Sequence, residues 1–395
     1  MKVAWILINA SHYHLARWRV FVQHSSMQPI MVEIANQDAS FDALSATESC
    51  GVERVTLFPG KTWQQASGLK RCHAIKKKLD RLSPDVICIN GWSMGGSIAS
   101  LQWALENNCR VVLFSDSNRF DLRRRKILEW FKGRLVSLAD SAFTAGTTGR
   151  EYLVELGMSP EVVFVGYDVV DNAHFSPASN QLSGSSHPVL APESPYFVAA
   201  ARFEPKKNHV RLLQAFAKYR SMAGDQAWPL VLLGDGKLRA EIEAERDKLG
   251  LGESLVLPGF AGYGELPAWY QNAACFIHPS TTEQWGLVVN EAMASGLPVL
   301  VSERCGCAPD LVENGVNGFT FDPYDVESLA SLMARMAGPD WDRAGMGRAS
   351  LEIIDRWSPE TFASGLEAAV QAALKGGGRK ANWLDRAMLR ALAHR

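Results

Sequence analysis

The chain has 395 residues, a net charge of −1 at pH 7 and a hydrophobic share of 47%. That length suits two domains, the near-zero charge argues against a general nucleic-acid binder, and no stretch is long and apolar enough to span a bilayer. The seven cysteines are odd in number and scattered, which points to a reducing, cytoplasmic protein with no disulfide framework.

The N-terminal run MKVAWILINASHYH holds one lysine and a short apolar stretch, poor features for a signal peptide. It reads as a first buried strand, Val3–Ile8, because βα units follow at once. Further apolar runs fall at Ile30–Ile34, Val86–Ile89, Val111–Phe114 and Val162–Val165. Helical patterns cover Gln64–Leu82, Ser97–Glu106 and Leu122–Leu138. Continuous apolar strands between amphipathic helices predict a parallel sheet covered on both faces.

Three loops in this half follow strands and are expected to converge on one cleft. The first is Asn9–His14, running on to Arg17 and Trp18. The second is Asn90–Gly96, with Trp92 and with Gly95-Gly96, a pair that allows close approach to a ligand. The third, Ser115–Arg119, holds Asp116. Turn chemistry alone also explains their Asn, Ser, Asp and Gly content. His12 and His14 read either as acid–base or acceptor-binding groups or as polar residues near a surface.

Arg119 to Arg134 is rich in cations, including Arg123, Arg124, Arg125, Lys126 and Lys132, with Ile127, Leu128, Trp130 and Phe131 between them. It reads as a helix with one basic face, either solvated or facing an anionic acceptor or an anionic membrane. A first domain over 1–175 then gives way to a Ser-, Pro- and Gly-rich linker over 176–194.

The second half, 195–357, opens on strand Tyr196–Ala201 and the loop Arg202–Asn208, followed by helix Val210–Tyr219. Arg202 and Lys207 at a strand end, beside a helix N-terminus, make a diphosphate site in physical terms; the alternative is a basic surface turn. Strand Leu230–Leu233 leads into Gly234-Asp-Gly236, and Leu257–Phe260 follows. Next comes HPSTTEQWGLVVNEAMASGLPVLVS, His278–Ser302: strand, polar loop, helix, strand. Gly286 and Leu287 open that helix, Glu283 stands in the loop before it, and Glu291 lies about a turn and a half in. Such a helix end serves a phosphate while the two carboxylates accept from hydroxyls. Trp357-Ser-Pro-Glu360 starts a late helix over 358–376, with Ser358 as N-cap. The tail, 377–395, reads as a small basic amphipathic helix with Trp383, Leu384, Ala387, Met388, Ala391 and Leu392 on one face, packed either on a membrane or on its own protein.

The run E-x-x-G-L-x-x-x-E-A-M-A-x-G-x-P-V, Glu283 to Val299, resembles the signature of retaining GT-B glycosyltransferases of family 4 (glycosyl transferases group 1). Arg202 to Lys207 resembles the family's G-R-x-x-x-x-K segment, with Ala201 in place of glycine. Asp168–Phe175 resembles its N-G-V-D-x-x-x-F, with Asp168 and Val169 where Asn and Gly are usual. Cys305–Asp310 departs from the usual G-G-x-P-E. The resemblance covers most of the second half and, in the first half, topology alone.

It implies an α/β fold of GT-B type, two Rossmann-like domains facing a central cleft, with a C-terminal helix crossing back to the first domain. It implies that Arg202 and Lys207 hold the donor diphosphate, that Glu283 binds a hydroxyl of the donor sugar and Glu291 the ribose, and that Gly234, Phe260, Gly286 and Leu287 complete the donor site. Some relatives carry a histidine where Ser115-Asp116 stands, which makes Asp116 a polar participant beside His14. The acceptor would meet His14, Arg17, Trp92, Gly95, Gly96, Arg119 and Arg123. The expected reaction moves a sugar from a nucleotide-diphosphate sugar, UDP favoured over GDP, to a glycan or lipid-linked acceptor, with no metal or other cofactor. Expected partners are the nucleotide sugar, that acceptor and an anionic membrane at its inner face. The rivals are a nucleotide-sugar epimerase on the same fold and a non-catalytic nucleotide-sugar-binding protein. A dinucleotide oxidoreductase fails, because no G-x-G-x-x-G follows the first strand.

Overall fold

The computed structural model describes residues 1–37, 53–121, 124–180 and 195–393. The chain divides into two compact units: Met1–Val170 together with Ser358–Arg395, and Asp171–Trp357.

The first unit is built on a parallel sheet of seven strands. They are β1 (Lys2–Leu7), β2 (Gln28–Gln37), β3 (Arg54–Thr62), β4 (Val86–Asn90), β5 (Arg110–Ser115), β6 (Ser141–Thr144) and β7 (Val163–Val165), in the order β3-β2-β1-β4-β5-β6-β7. Helices α1 (His12–His24), α2 (Gly68–Leu82), α3 (Gly95–Glu106), α4 (Lys126–Val136) and α5 (Thr147–Glu155) connect them. Strand order reverses between β1 and β4, and the crevice beyond the carboxyl ends of such a pair is where open α/β sheets take ligands. β3 and β6 escape the apolar-run pattern for local reasons. β3 is half-exposed along its length, and β6 reads Ser-Ala-Phe-Thr. The predicted helix over 64–82 breaks at Ala66, where Ser67 caps α2 by accepting from the Lys70 amide.

The second unit is a parallel sheet of six strands: β8 (Phe197–Ala200), β9 (Leu230–Leu233), β10 (Leu255–Gly259), β11 (Cys275–His278), β12 (Val299–Ser302) and β13 (Gly318–Phe321), in the order β10-β9-β8-β11-β12-β13. Its helices run from α6 (Asn172–Phe175) and α7 (Pro177–Asn180) through α8 (His209–Ala223), α9 (Arg239–Lys248), α10 (Leu266–Gln271), α11 (Leu287–Ala294) and α12 (Ala308–Leu311) to α13 (Val326–Ala337) and α14 (Arg343–Asp355). Here the order reverses between β8 and β11.

The units meet along the sequence at 170/171, slightly before the expected 175. The reason is α6. Its Asn172 donates to the carbonyls of Ile354 and Trp357 at 3.0 and 3.3 Å, the His174 ring stacks on Tyr263 at 4.2 Å, and Phe175 is buried. Residues 181–194 of the expected linker lie outside the described residues.

Two late helices close the first unit. α15 (Pro359–Lys375) is capped by Ser358, whose Oγ accepts from the Thr361 amide. Its Phe362 joins an aromatic cluster with Trp5, Phe114, Phe143 and Tyr167, and the Ser141 hydroxyl donates to the Ala369 carbonyl at 2.7 Å. α16 (Trp383–Ala393) buries Met388, Leu389 and Ala393 in the core that α2 and α3 share. So the tail packs on its own protein. Its buried face is rotated from the expected one, with Ala387, Ala391 and Trp383 exposed and Asp385 and Leu389 inside. The inward Asp385 accepts from Arg134 Nε at 2.8 Å and from the Asn382 amide at 3.0 Å.

Candidate active site

The loops after β8 and β11 sit side by side at the reversal of the second sheet. The Thr281 amide donates to the Lys206 carbonyl at 2.8 Å, and Asn208 Nδ2 donates to the Pro279 carbonyl at 3.0 Å. Asn208 does this from a left-handed backbone, φ 60°, which asparagine tolerates. Its amide also reaches the Pro323 carbonyl at 2.8 Å.

Between these loops lies a knot of charge. Glu283 is paired with Lys207 and, at 2.9 Å, with Lys206; His278 Nε2 lies 3.8 Å away. The backbone of Glu283 is pinned as well, since its amide donates to the Arg304 carbonyl and its carbonyl accepts from Gly306. Burial works against the charge of Glu283. The imidazole and the two ammonium groups outweigh it and hold the carboxyl well below the usual range. His278, the last residue of β11, is fully buried, and burial pushes its pKa down against the opposing pull of Glu283. Arg202 is half-exposed beside Glu204, at 3.2 Å. His209 opens α8 with both ring nitrogens buried and, among the described residues, without a hydrogen-bond partner; burial and then Lys207 push its pKa down to about 3.

Gly286 caps α11 at φ 116°, a backbone that favours glycine. Leu287 is the first residue of that helix and is half-buried. Glu291 is fully buried and accepts from the Tyr270 hydroxyl at 2.9 Å. Gly234, at φ 134°, follows β9 where a Cβ would stand 1.9 Å from the Ala201 carbonyl oxygen. Its need for glycine therefore comes from the packing of two strand-end loops. Phe260, just past β10, is exposed.

The strand ends of the first unit gather a second set of groups. Trp5 Nε1 donates to Asn90 Oδ1 at 2.6 Å, and Asn90 donates to the Tyr167 hydroxyl at 3.1 Å. His14 accepts at Nδ1 from the Ser11 amide, 3.1 Å, as part of the cap of α1. Burial and then Arg17 push its pKa down to about 3. A neutral imidazole with Nδ1 already occupied has Nε2–H to offer as a donor and is a poor base near pH 7. Asp116 goes the other way. Burial and then Asp168 push it up to about 7, against the pull of Arg17.

Other expected acceptor groups are used by the fold itself. Arg17 is buried, with Nε on the Val169 carbonyl at 2.8 Å, Nη2 3.1 Å from Asp168, and its guanidinium over the Tyr167 ring. It holds the 167–169 segment in place. A Cβ on Gly96 would stand 2.6 Å from Ile34 Cδ1, so this glycine admits core side chains on that side. Gly95, next to it, is buried at the start of α3. Trp92 lies beside Tyr152, ring centroids 6.4 Å apart. Arg119 is paired with Glu155, and Arg123 lies outside the described residues. The one D-x-D, Asp340-Trp-Asp342, serves the fold, since Asp342 caps α14 through the Gly345 amide at 2.8 Å. Lys206, His278 and Tyr270 were missed. The Lys206-Lys207 doublet and an ionisable residue ending a strand were the available signals.

Two family patterns match the chain, "Glycosyl transferase 4-like domain" over residues 15–168 and "Glycosyl transferases group 1" over residues 186–344. Among curated relatives, a D-inositol 3-phosphate glycosyltransferase from Segniliparus rotundus is 29% identical over 62% of this chain and 55% of its own length. The sulfoquinovosyl transferase SQD2 of Arabidopsis thaliana is 31% identical over 42% of this chain and 31% of its own. The chain thus spans about a third to about half the length of these relatives. HepE from Anabaena, solved with UDP, superposes with a TM-score of 0.72 at 18% identity, covering 94% of this chain and 100% of HepE. Sucrose-phosphate synthase from Thermosynechococcus elongatus gives 0.73 at 18% identity, covering 95% and 99%. These two likenesses bear on the fold. With both halves matched by glycosyltransferase patterns and two Rossmann-like sheets in place, the chain belongs to the family 4 glycosyltransferases of GT-B fold (glycosyl transferases group 1).

Proposed function

We propose that this chain is a retaining, metal-independent hexosyltransferase. It moves a sugar from a nucleotide-diphosphate sugar to a glycan or lipid-linked acceptor in cell-surface polysaccharide or glycolipid synthesis. The carrying observation is the Glu283–Lys206–Lys207 knot beside the start of α11, at the reversal of the second sheet. When the bond from sugar to diphosphate breaks, negative charge grows on the leaving phosphate. Lys206, Lys207 and Arg202, with the amides opening α11 at Gly286 and Leu287, are the groups that would stabilise it. These cations do the work a metal would do. Glu283, held ionised, accepts from a donor-sugar hydroxyl; Glu291 accepts from the ribose; Gly234 and Phe260 flank the nucleotide.

No carboxylate declares itself a nucleophile. Departure and attack then occur on one face of the sugar: the bond to the diphosphate breaks, the acceptor oxygen bonds to the anomeric carbon, and its one proton passes to the leaving phosphate, with Asp116 accepting a hydrogen bond from the attacking hydroxyl and His14 donating one to the acceptor. Trp92 and Arg119 complete the acceptor side. UDP is favoured over GDP because HepE is a UDP complex, although a relative from Mycolicibacterium smegmatis is a GDP-mannose-dependent mannosyltransferase. The acceptor is presented at an anionic membrane, the protein lying peripherally on its cytoplasmic face.

A thermal-shift panel of UDP, GDP, ADP and TDP, each with EDTA and with magnesium, tests the donor side. One diphosphate raising Tm equally in both conditions is expected. A flat panel overturns the reading, and an inverted anomer in the product, read by NMR, overturns retention.

A further inference from the structure

The helix expected to carry a basic face also turns an apolar stripe outward. On α4, Ile127, Leu128, Trp130 and Phe131 are 66%, 48%, 50% and 38% exposed, and Phe120 just before the helix is 39% exposed. Ile127, Trp130 and Phe131 follow helical spacing and form one outward stripe. Its charges from Glu129 onward are engaged within the protein. Glu129 accepts from the Tyr152 hydroxyl at 2.7 Å and from Lys132 at 2.9 Å, and Arg134 donates to buried Asp385. What faces out beside the stripe is cationic. Arg125 and Lys126 are exposed, and among the described residues neither makes an ion pair.

The helix is also fixed in this pose. A Cβ on Gly133 would stand 2.8 Å from the Leu156 carbonyl oxygen, so α4 lies tight against the end of α5. Asp385 at the buried start of α16 grips Arg134, and Trp383, 79% exposed, stands two residues before it. A patch of this kind marks an interaction surface. Aromatic and aliphatic side chains flanked by Lys and Arg, with the neighbouring exposed acid Glu155 already paired to Arg119, match an anionic bilayer. Two copies of this chain meeting on α4 about a two-fold axis would bring the same cations together, which disfavours a dimer here.

We propose that α4 is the bilayer-docking element: Phe120, Ile127, Trp130 and Phe131 enter the headgroup region, Arg125 and Lys126 meet anionic lipid, and the Asp385–Arg134 pair of α16 sets the roll of the helix. This rests on the reading that the acceptor is presented at a membrane. It assigns the contact to α4 and gives the tail a bracing role.

The test is cosedimentation of the full chain with phosphatidylglycerol–phosphatidylcholine vesicles and with phosphatidylcholine vesicles alone. Wild type should bind the anionic vesicles and lose binding in high salt. The Ile127→Ser/Trp130→Ser/Phe131→Ser and Arg125→Glu/Lys126→Glu variants should each bind at least about tenfold more weakly, with Tm and the nucleotide-induced Tm shift unchanged. Asp385→Asn should weaken binding as well. Wild-type binding in the first two variants, no binding by wild type, or concentration-dependent dimers that those variants abolish would overturn the docking assignment. Unchanged binding by Asp385→Asn would overturn the brace. A flat nucleotide panel with vesicle binding intact would instead sink the transfer reading and leave the docking surface standing.

Discussion

The hydroxyl of Tyr270 donates to Oε2 of Glu291 at 2.9 Å, and both side chains are fully buried in the second unit. Tyr270→Phe removes one donor to a buried carboxylate at almost no change in volume. The expected cost is about 1–3 kcal/mol, read as a lower urea midpoint with an unchanged m-value. The donor KM should rise as well, because Glu291 loses its orientation. An unaltered midpoint would mean that other groups hold Glu291.

Lys207 and Lys206 both reach Glu283, but Lys207 is 12% exposed and Lys206 37%. The drier ammonium acts in the lower dielectric and should matter more. Lys207→Ala is expected to lower kcat/KM for the nucleotide sugar about a hundredfold and Lys206→Ala about tenfold. Equal losses would place the two lysines in equivalent surroundings and contradict the geometry.

Asp116 predicts a pH signature. Its folded pKa is raised to about 7, so between the ordinary carboxyl range and pH 7 the folded state keeps a proton that the unfolded state has released. This contribution to stability falls as pH rises through that window. Asp168, Asp121 and Arg17 share the surroundings and should keep the titration broad. His14 and His209 act oppositely. Their folded pKa values are lowered to about 3, so their contribution is complete above about pH 6.5 and is lost as pH falls. Subtracting the Asp116→Asn Tm profile from that of wild type isolates the first effect, and the difference should decline from pH 4 to pH 7. In kinetics, kcat/KM should rise with an apparent pKa near 7, and Asp116→Asn should lose that limb.

Two glycines at similar φ should respond differently to alanine. At Gly234 the added Cβ meets a backbone oxygen at 1.9 Å, and nothing there is free to move. At Gly286 the nearest atom is Cys307 Sγ at 3.5 Å, an ordinary contact, so only backbone strain remains. Gly286→Ala should cost about 1–2 kcal/mol and weaken nucleotide binding, while Gly234→Ala should cost about 3 kcal/mol or more. Thermal denaturation of the two variants orders them, and the reverse order would contradict the close approach of the β8 and β9 loops.

The βαβ unit around Glu283 was legible because its signals are local. A strand, a glycine at the helix start and Gly296-Leu-Pro298 at its end lie within one short stretch. The burial of Arg17 was not legible because its partner, Asp168, is far along the chain, and nothing near Arg17 announces a buried ion pair. The packing of Ile34 against Gly96 was not legible, because a glycine admitting a ligand and one admitting a core side chain look alike in sequence. The amphipathy of α4 and α16 was visible, but periodicity tells which residues share a face and is silent on what covers it. One buried carboxylate, Asp385, lies on the inner face of α16, and its partner Arg134 sits on another helix.

The first unit is discontinuous: Met1–Val170 needs α15, whose Phe362 completes its aromatic face and whose Ala369 carbonyl accepts from Ser141 at the start of β6. The second unit is one unbroken run, Asp171–Trp357. During synthesis the part made first must therefore wait, its aromatic face uncovered, while the part made second can already fold. The ribosome delivers the missing helix only after the whole second unit, so chaperone demand should fall on the N-terminal sheet, and truncation before Ser358 should leave that sheet insoluble while sparing its younger neighbour.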